Sequence, residues 1–326
     1  MRKINWYMGT AFLVIAIAGV VVWQKKSEQD VVPKVNTEVV TIGYRTHDLF
    51  APVFVGSEQK IFEKHGLKVK TVQFESSNQL TDALIGGHID AALGGVNIPL
   101  ILNIEDKHPG ELIAFSVVNE TLSAPIASLL VRSSSTISSI ADLRGKKIGA
   151  FQGSTAQYLY TKTVSKFFDP KQAELVQMNP ELELGALDTG QVDAIIVLEP
   201  LATIGQSQHI ARVLESGLFN KFILPNFPNA ASVMSTRFRQ EHPTEAKALI
   251  EATAETIDFI NSHPKETKEA IVKFLPFEAG IIENIHIPYF IKQTDIKVET
   301  IQEEADLLYN DKQLQKHLDV IYIFSL

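Results

Sequence analysis

The chemistry in this 326-residue sequence sits where short apolar runs stop and small or polar residues follow. Gly153-Ser154-Thr155 follows one such run and opens a helical stretch expected to reach Phe168. A helix N-terminus offers free backbone N–H groups and the positive end of the dipole, which together hold an anionic or strongly polar group. The Ser154 and Thr155 hydroxyls add to that, or act as a plain N-cap, for which both residue types are favoured regardless of ligand. Tyr44, Arg45 and Thr46 leave an earlier β-branched run in the equivalent place. There an aromatic ring can stack on a ligand and Arg45 can fork onto a carboxylate or sulfonate; the alternative is a solvated loop arginine. Gly94, Gly95 and Asn97 end a third run. Glycines allow a ligand close to the backbone and Asn97 brings donors and an acceptor, or the pair makes a tight turn. Asn119 begins a polar loop with Glu120 and Thr121 after the strand expected over Leu112 to Val118. Glu199 suits an amine or hydroxyl and repels a bare anion, or it caps the helix beginning at Pro200.

Other chemistries are poorly served. There is no cysteine, which excludes a disulfide framework, thiolate zinc sites, a cysteine nucleophile and attachment of lipid through an N-terminal Cys. The nine histidines lack metal-ligand spacing, so no metal and no cofactor is expected. No Gly-x-Ser-x-Gly elbow, His-Glu-x-x-His helix, Walker loop or dinucleotide fingerprint is present. Asp90 and Asp193 look like a pair of catalytic carboxylates. Each, however, stands at the start of its own buried strand, where a structural cap on the preceding turn is the simpler expectation. A net charge of −8 with no basic block leaves nucleic acid no electrostatic footprint.

The elements that must position these residues repeat. Val39 to Tyr44 reads as a strand, Ala51 to Lys64 as a helix ended by Gly66, Leu67 to Phe74 as a strand and Asn78 to Ile85 as a helix. Ile89 to Leu93 is a further buried strand. Ala83-Leu84-Ile85-Gly86-Gly87-His88-Ile89-Asp90-Ala91 is echoed by Ala186-Leu187-Asp188-Thr189-Gly190-Gln191-Val192-Asp193-Ala194, and Thr41-Ile42-Gly43 by Lys147-Ile148-Gly149. Strands alternating with short helices imply an α/β fold with mostly parallel sheets flanked by helices. The doubling implies two lobes, and ligands of open parallel sheets bind beyond the strands' carboxyl ends. Lobe I is expected over 38–124 plus 231–326 and lobe II over 125–230. Ala124 to Val131 and Ala230 to Ser235 are candidate hinge strands. Thr244 to Asn261, Pro264 to Leu275 and Ile296 to Tyr309 read as amphipathic cladding helices.

Five ordered pieces carry a family resemblance: Glu58 to Leu67, Gly86 to Ala92, Ile140 to Gly149, Gly153-Ser154-Thr155, and Asp193-Ala194 leading to Glu199-Pro200. Over about Val39 to Asp311 the chain resembles periplasmic solute-binding proteins of the nitrate, sulfonate, taurine and thiamine-precursor type. The resemblance implies a hinged two-lobe fold of the second periplasmic-binding-protein topology. It also implies a monomer that captures a small polar or anionic solute and delivers it to an ATP-driven (ABC) transporter permease. Many relatives place a histidine where Phe50 stands here, which argues against chemistry depending on it. Two other readings use the same scaffold. One is an enzyme of thiamine-pyrimidine synthesis or of chorismate-derivative dehydration, the former at odds with a cysteine-free chain. The other is a membrane-tethered ligand sensor.

The N-terminus supplies the compartment. Arg2 and Lys3 precede an uncharged run from Ile4 to Trp23, and Ala16-Ile17-Ala18 offers a cleavage site. Residues 1–26 are thus expected to be a signal peptide or a membrane anchor, since about 20 apolar residues also span a bilayer. Residues 27–37, polar and containing Pro33, read as a tether. The folded part is expected outside the cytoplasmic membrane.

Overall fold

The structure is a computed structural model that describes residues 39–274 and 284–324. The expected signal or anchor, the tether and Pro276 lie outside the described residues. Among the described residues, no helix is long and apolar enough to cross a membrane.

Eleven strands form two sheets. They are β1 (Val39–Tyr44), β2 (Lys68–Gln73), β3 (Ala91–Asn97), β4 (Leu112–Asn119), β5 (Ala127–Arg132) and β6 (Lys147–Phe151), followed by β7 (Glu174–Met178), β8 (Ala194–Leu198), β9 (Ala211–Ser216), β10 (Pro228–Ser235) and β11 (Tyr289–Lys292). The first sheet has the order β11-β4-β10-β3-β1-β2 and the second β7-β6-β8-β5-β9. Leaving out β11, the two orders are the same, with β1, β2, β3 and β4 answering to β6, β7, β8 and β9. The strand inserted before the last one, β10 or β5, runs antiparallel to both neighbours. It is the strand on which the chain arrives from the other lobe. The first lobe therefore draws its sheet from 39–119 and 228–292, the second from 127–216.

The repeated motif has a physical reason. Asp90 Oδ2 accepts from the Thr41 N–H at 2.7 Å while Asp90 N–H donates to Thr41 O at 2.8 Å. In the other lobe Asp193 Oδ2 accepts from Lys147 N–H at 2.9 Å, and Asp193 N–H donates to Lys147 O at 2.8 Å. Each aspartate thus clamps the third strand of its lobe to the first, where parallel pairing begins. The clamp is to a neighbouring strand, where the sequence suggested a structural cap on the preceding turn. The glycines two residues on receive the side chain before the aspartate: a Cβ at Gly43 would stand 2.5 Å from Ile89 Cδ1, and one at Gly149 3.4 Å from Val192 Cγ2.

Both faces of the central strands are covered, so those strands read as near-continuous apolar runs. In β5, Ala127, Leu129 and Val131 join one core cluster and Leu130 the other; in β8, Ala194 and Ile196 oppose Ile195 and Val197. The first sheet is covered by the helices Ala51–Glu58, Pro243–Ser262 and Pro264–Phe274, with Phe54 stacked on Phe274 at 4.9 Å. The helix expected over Ala51 to Lys64 is two pieces, Ala51–Glu58 and Ile61–Lys64, joined through Lys60 at φ +55°. Gly56 explains the fold-back: a Cβ there would stand 2.5 Å from the Phe62 ring, so only glycine lets Phe62 lie on the first piece. The helix expected to reach Phe168 ends at Val164.

The crossings between lobes meet at Glu120, which is fully buried. Its Oε2 accepts from Ile126 N–H at 2.8 Å and Ala127 N–H at 2.6 Å on the first crossing, and Oε1 accepts from Asn220 N–H at 2.8 Å ahead of the second. Its own N–H donates to Phe227 O at 2.8 Å. Burial raises its pKa against the opposing pull of those amides.

The aspartate clamps give a test of lobe independence. Asp90→Ala and Asp193→Ala each leave a strand N–H without its acceptor and are expected to cost about 1–3 kcal/mol. Because they lie in separate sheets, their costs should add to within about 0.5 kcal/mol in denaturant unfolding of the double variant. A double variant no less stable than either single one would contradict this assignment.

Candidate functional site

The site is built where the carboxyl ends of β1 and β3 in lobe I approach those of β6 and β8 in lobe II. Asn97, last residue of β3, caps the helix Ile98–Lys107, its Oδ1 accepting from Leu100 N–H at 3.3 Å. The same oxygen accepts from Thr155 Oγ1 of lobe II at 3.4 Å. Thr155 belongs to the first turn of the helix Ser154–Val164, whose N-cap is Gly153 at φ +118°. So the two sequence-derived loops, one per lobe, touch across the cleft. Asn119 ends β4, and its Oδ1 is buried with no hydrogen-bond partner among the described residues.

The remaining expected residues are placed as follows. Tyr44 packs edge-on against Phe54, with centroids 5.5 Å apart, and its hydroxyl donates to Gln73 Oε1 at 3.4 Å. Arg45 Nη1 donates to Ser77 Oγ at 3.1 Å; burial lowers its pKa and the nearby Glu75 charge opposes this. Thr46 is exposed. Of Ser154, the backbone alone is described. Gly94 and Gly95 make room for the chain itself. A Cβ at Gly94 would stand 2.2 Å from Leu49 O, and one at Gly95 2.2 Å from Phe50 Cε2. The space into which a ligand was expected to approach these glycines is filled by the turn Asp48–Phe50.

That turn carries a residue the sequence reading passed over. Asp48 is 1% exposed. Its Oδ1 lies 2.6 Å from His47 Nδ1, an ion pair only when the ring holds its second proton. The Leu49 N–H lies 3.2 Å from the same ring nitrogen, and Asp48 Oδ2 has no hydrogen-bond partner among the described residues. Glu199, 5% exposed, stands at the end of β8 in lobe II. Its Oε2 accepts from Thr203 N–H at 3.2 Å, the capping arrangement foreseen for it. Burial, with the Asp48 charge adding, raises the Glu199 pKa to about 7, opposed by Thr203.

A second set of contacts closes the lobes further out. Tyr158 and Lys162, on the helix Ser154–Val164, reach Asp311 at the end of the lobe I helix Val298–Asn310. Tyr158 donates to Asp311 Oδ2 at 3.0 Å and Lys162 Nζ lies 2.5 Å from it, with Lys162 also over the Tyr158 ring. Glu304 on that helix is fully buried, with neither oxygen hydrogen-bonded among the described residues. Burial raises its pKa. Burial also raises that of Tyr158, with the Asp311 and Glu304 charges adding. A separate cavity of about 540 Å³ lies beside the crossings, lined in part by Thr121, Ser123, Asn226, Asn261 and Tyr289, away from these groups.

The Glu199 shift carries a sign. The folded pKa, about 7, exceeds the ordinary 4.5, so the folded chain binds more protons than the unfolded one. This stability is fully present below pH 4.5 and lost as pH rises through 7. Glu199→Gln should therefore gain on the native chain between pH 5 and 8, by roughly 3 kcal/mol at most. Parallel melting-temperature curves for the two proteins across that range would refute the assignment.

The chain is similar along most of its length to several proteins named as solute-binding. A putative aliphatic sulfonates-binding protein of Bacillus subtilis is 25% identical over 283 residues, covering 83% of this chain and 81% of its own. The alkanesulfonate-binding protein SsuA from Xanthomonas axonopodis pv. citri superposes with a TM-score of 0.70 at 19% identity, over 87% of this chain and 97% of that one. The ligand-binding component of an ABC-type import system from Staphylococcus aureus gives 0.72 at 17% identity, over 87% and 95%. The two-lobe α/β architecture is thus the periplasmic-binding-protein fold. Residues 33–276 match the profile of one family, and the chain belongs to the NMT1-like family.

Proposed function

We propose that this chain is the extracytoplasmic solute-binding component of an ABC importer, acting as a monomer that delivers a small polar solute to a permease in the membrane. The observation that carries this reading is the convergence of loops from two lobes whose sheets, β11 apart, share one strand order. Asn97 meets Thr155 across a cleft bridged by two crossings. Such a cleft suits capture by closure: a solute touching both lobes favours the closed form in proportion to its extra contacts there. The closed shape is then the signal a permease recognises. The names of the relatives support sulfonates as the first solutes to test. Nitrate, taurine and pyrimidines come next, on the resemblance of the whole chain. Asn97, Asn119, the helix N-terminus at Gly153 to Thr155, and Glu199 are the groups proposed to contact the solute. Tyr44, Arg45 and Thr46 border that set.

The reading predicts a measurable stabilisation. A solute at about a hundredfold its Kd should raise the unfolding free energy by roughly 2.7 kcal/mol. In a thermal-shift panel of sulfonates, nitrate, pyrimidines and amino acids at least one compound should do so, and Thr155→Ala and Asn97→Ala, in opposite lobes, should each diminish the effect. A panel without any stabilising compound would defeat the proposal. Asp311→Ala, which releases Lys162 and Tyr158, should enlarge the radius of gyration of the solute-free chain in solution scattering and weaken solute binding, since apparent affinity scales with the closed fraction. An unchanged radius would remove Asp311 from any part in closure.

A further inference from the structure

Beside the two crossings lies a cavity of about 540 Å³ that takes no part in holding the proposed solute. Its size falls within the roughly 300–1,000 Å³ of small-molecule sites. The chain supplies its walls from three places. Thr121 and Ser123 belong to the first crossing and Asn226 to the approach of the second. Asn261 lies near the end of the helix Pro243–Ser262, and Ile287 and Tyr289 stand at the entry to β11.

None of the described lining residues carries a charge. They offer hydroxyls, side-chain amides and an aromatic ring. Thr121 Oγ1 lies 3.1 Å from Ser123 Oγ and accepts from Ala124 N–H at 3.1 Å, so these hydroxyls are fixed by their own loop. Asn261 Nδ2 donates to Phe290 O at 3.1 Å, which orients the amide and leaves its second N–H and its Oδ1 for a ligand. Asn226, at φ +56°, is held by its N–H donating to Asn220 Oδ1 at 2.7 Å. Tyr289 is 52% exposed, an aromatic body left half in water on an edge strand. A bare ion finds no counter-charge on these walls, and a hydrocarbon would leave the amides and hydroxyls unsatisfied. A neutral ring rich in hydroxyls meets both demands. Its C–H face covers the tyrosine, and its hydroxyls pair with the amides and hydroxyls around it.

We propose that this cavity is a second binding site, for a neutral carbohydrate, and that its occupancy favours the form with the lobes in contact. The walls belong partly to the hinge. Asn220, which holds Asn226, also donates its N–H to Glu120 Oε1, and Thr121 directly follows Glu120. The segment entering β11 touches the other lobe, Asn284 O accepting from Thr203 Oγ1 at 3.5 Å. A cavity walled by hinge and lobe together changes shape as the lobes part. Here it is formed with the lobes in contact, at Asn97 and Thr155 and at Tyr158 and Asp311. Ligand and closure are thereby coupled, each favouring the other to the same degree.

Titration calorimetry tests the site on the full-length chain, in mildly acidic buffer and a mild detergent without a sugar headgroup. The probes are glucose against glucuronate and N-acetylglucosamine against glucosamine. At least one neutral sugar should bind, tenfold or more tighter than its charged partner. Tyr289→Ala and Asn226→Gly, the latter suited to the positive φ, should each weaken that sugar tenfold or more, with circular dichroism confirming the fold. In solution scattering the sugar should reduce the radius of gyration of Asp311→Ala, the variant with a released clasp. The site is overturned if neither neutral sugar binds, if the charged partner binds as tightly in every pair that binds, or if both substitutions leave the affinity unchanged. Loss of sugar binding in Asn97→Ala as complete as in Tyr289→Ala would overturn it too, by placing the sugar in the cleft. A bound sugar that leaves the Asp311→Ala radius unchanged would overturn the coupling. The comparison of neutral with charged sugars on the unsubstituted chain decides the matter even if a variant does not fold.

Discussion

Both crossings between the lobes are tied to one buried carboxylate. Glu120 accepts hydrogen bonds from Ile126, Ala127 and Asn220, and its own N–H donates to Phe227. Both crossings between lobes are therefore referred to a single side chain. A carboxylate with no water to solvate it can stay charged only if backbone dipoles surround it, and the amides that do so are the ones whose positions define the hinge. The two sheets can pivot about that point without losing their strand pairing, because β5 and β10 each belong wholly to the lobe they enter. A hinge fixed at one polar knot, with apolar sheets on either side, is what lets two rigid bodies share a cleft.

The fold was legible because its repetition is chemical as well as rhythmic. The glycine two residues past the clamped amide and the aspartate after an apolar residue are two halves of one contact, between the first strand of a lobe and its third. Seen twice in the same order, they imply two sheets of one topology, and β1, β3, β6 and β8 stand where that implies. Elements lacking such a signature escaped. β11 is a four-residue edge strand whose pairing with β4 depends on helices that intervene in sequence. The break at Lys60 depends on Phe62 finding Gly56, a contact that no period of 3.6 encodes.

The site was legible at its backbone and opaque at its charges. Strand ends followed by Gly, Ser, Thr or Asn mark where a ligand can reach the backbone, and Asn97 and Thr155 do meet. The glycines at 94 and 95 were recognised as a place of close approach, but what approaches is the chain's own turn, which is why Asp48 was missed. Nothing about His47-Asp48-Leu49 in isolation says that the aspartate is buried; its burial depends on residues some forty-five positions away. Glu120 looked like one polar residue in a loop for the same reason. Long-range burial of a charged group is invisible to local pattern.

Charges also bear on how readily the lobes close. The outer clasp of Lys162 and Tyr158 on Asp311 is only partly shielded, with Lys162 29% and Asp311 32% exposed, so its attraction is modest, about 1 kcal/mol or less. Deeper in, Glu199 is held away from water, and that burial first, with the Asp48 charge adding, raises its pKa. A clasp this modest leaves solute contacts from both lobes able to decide how far the closed form is populated.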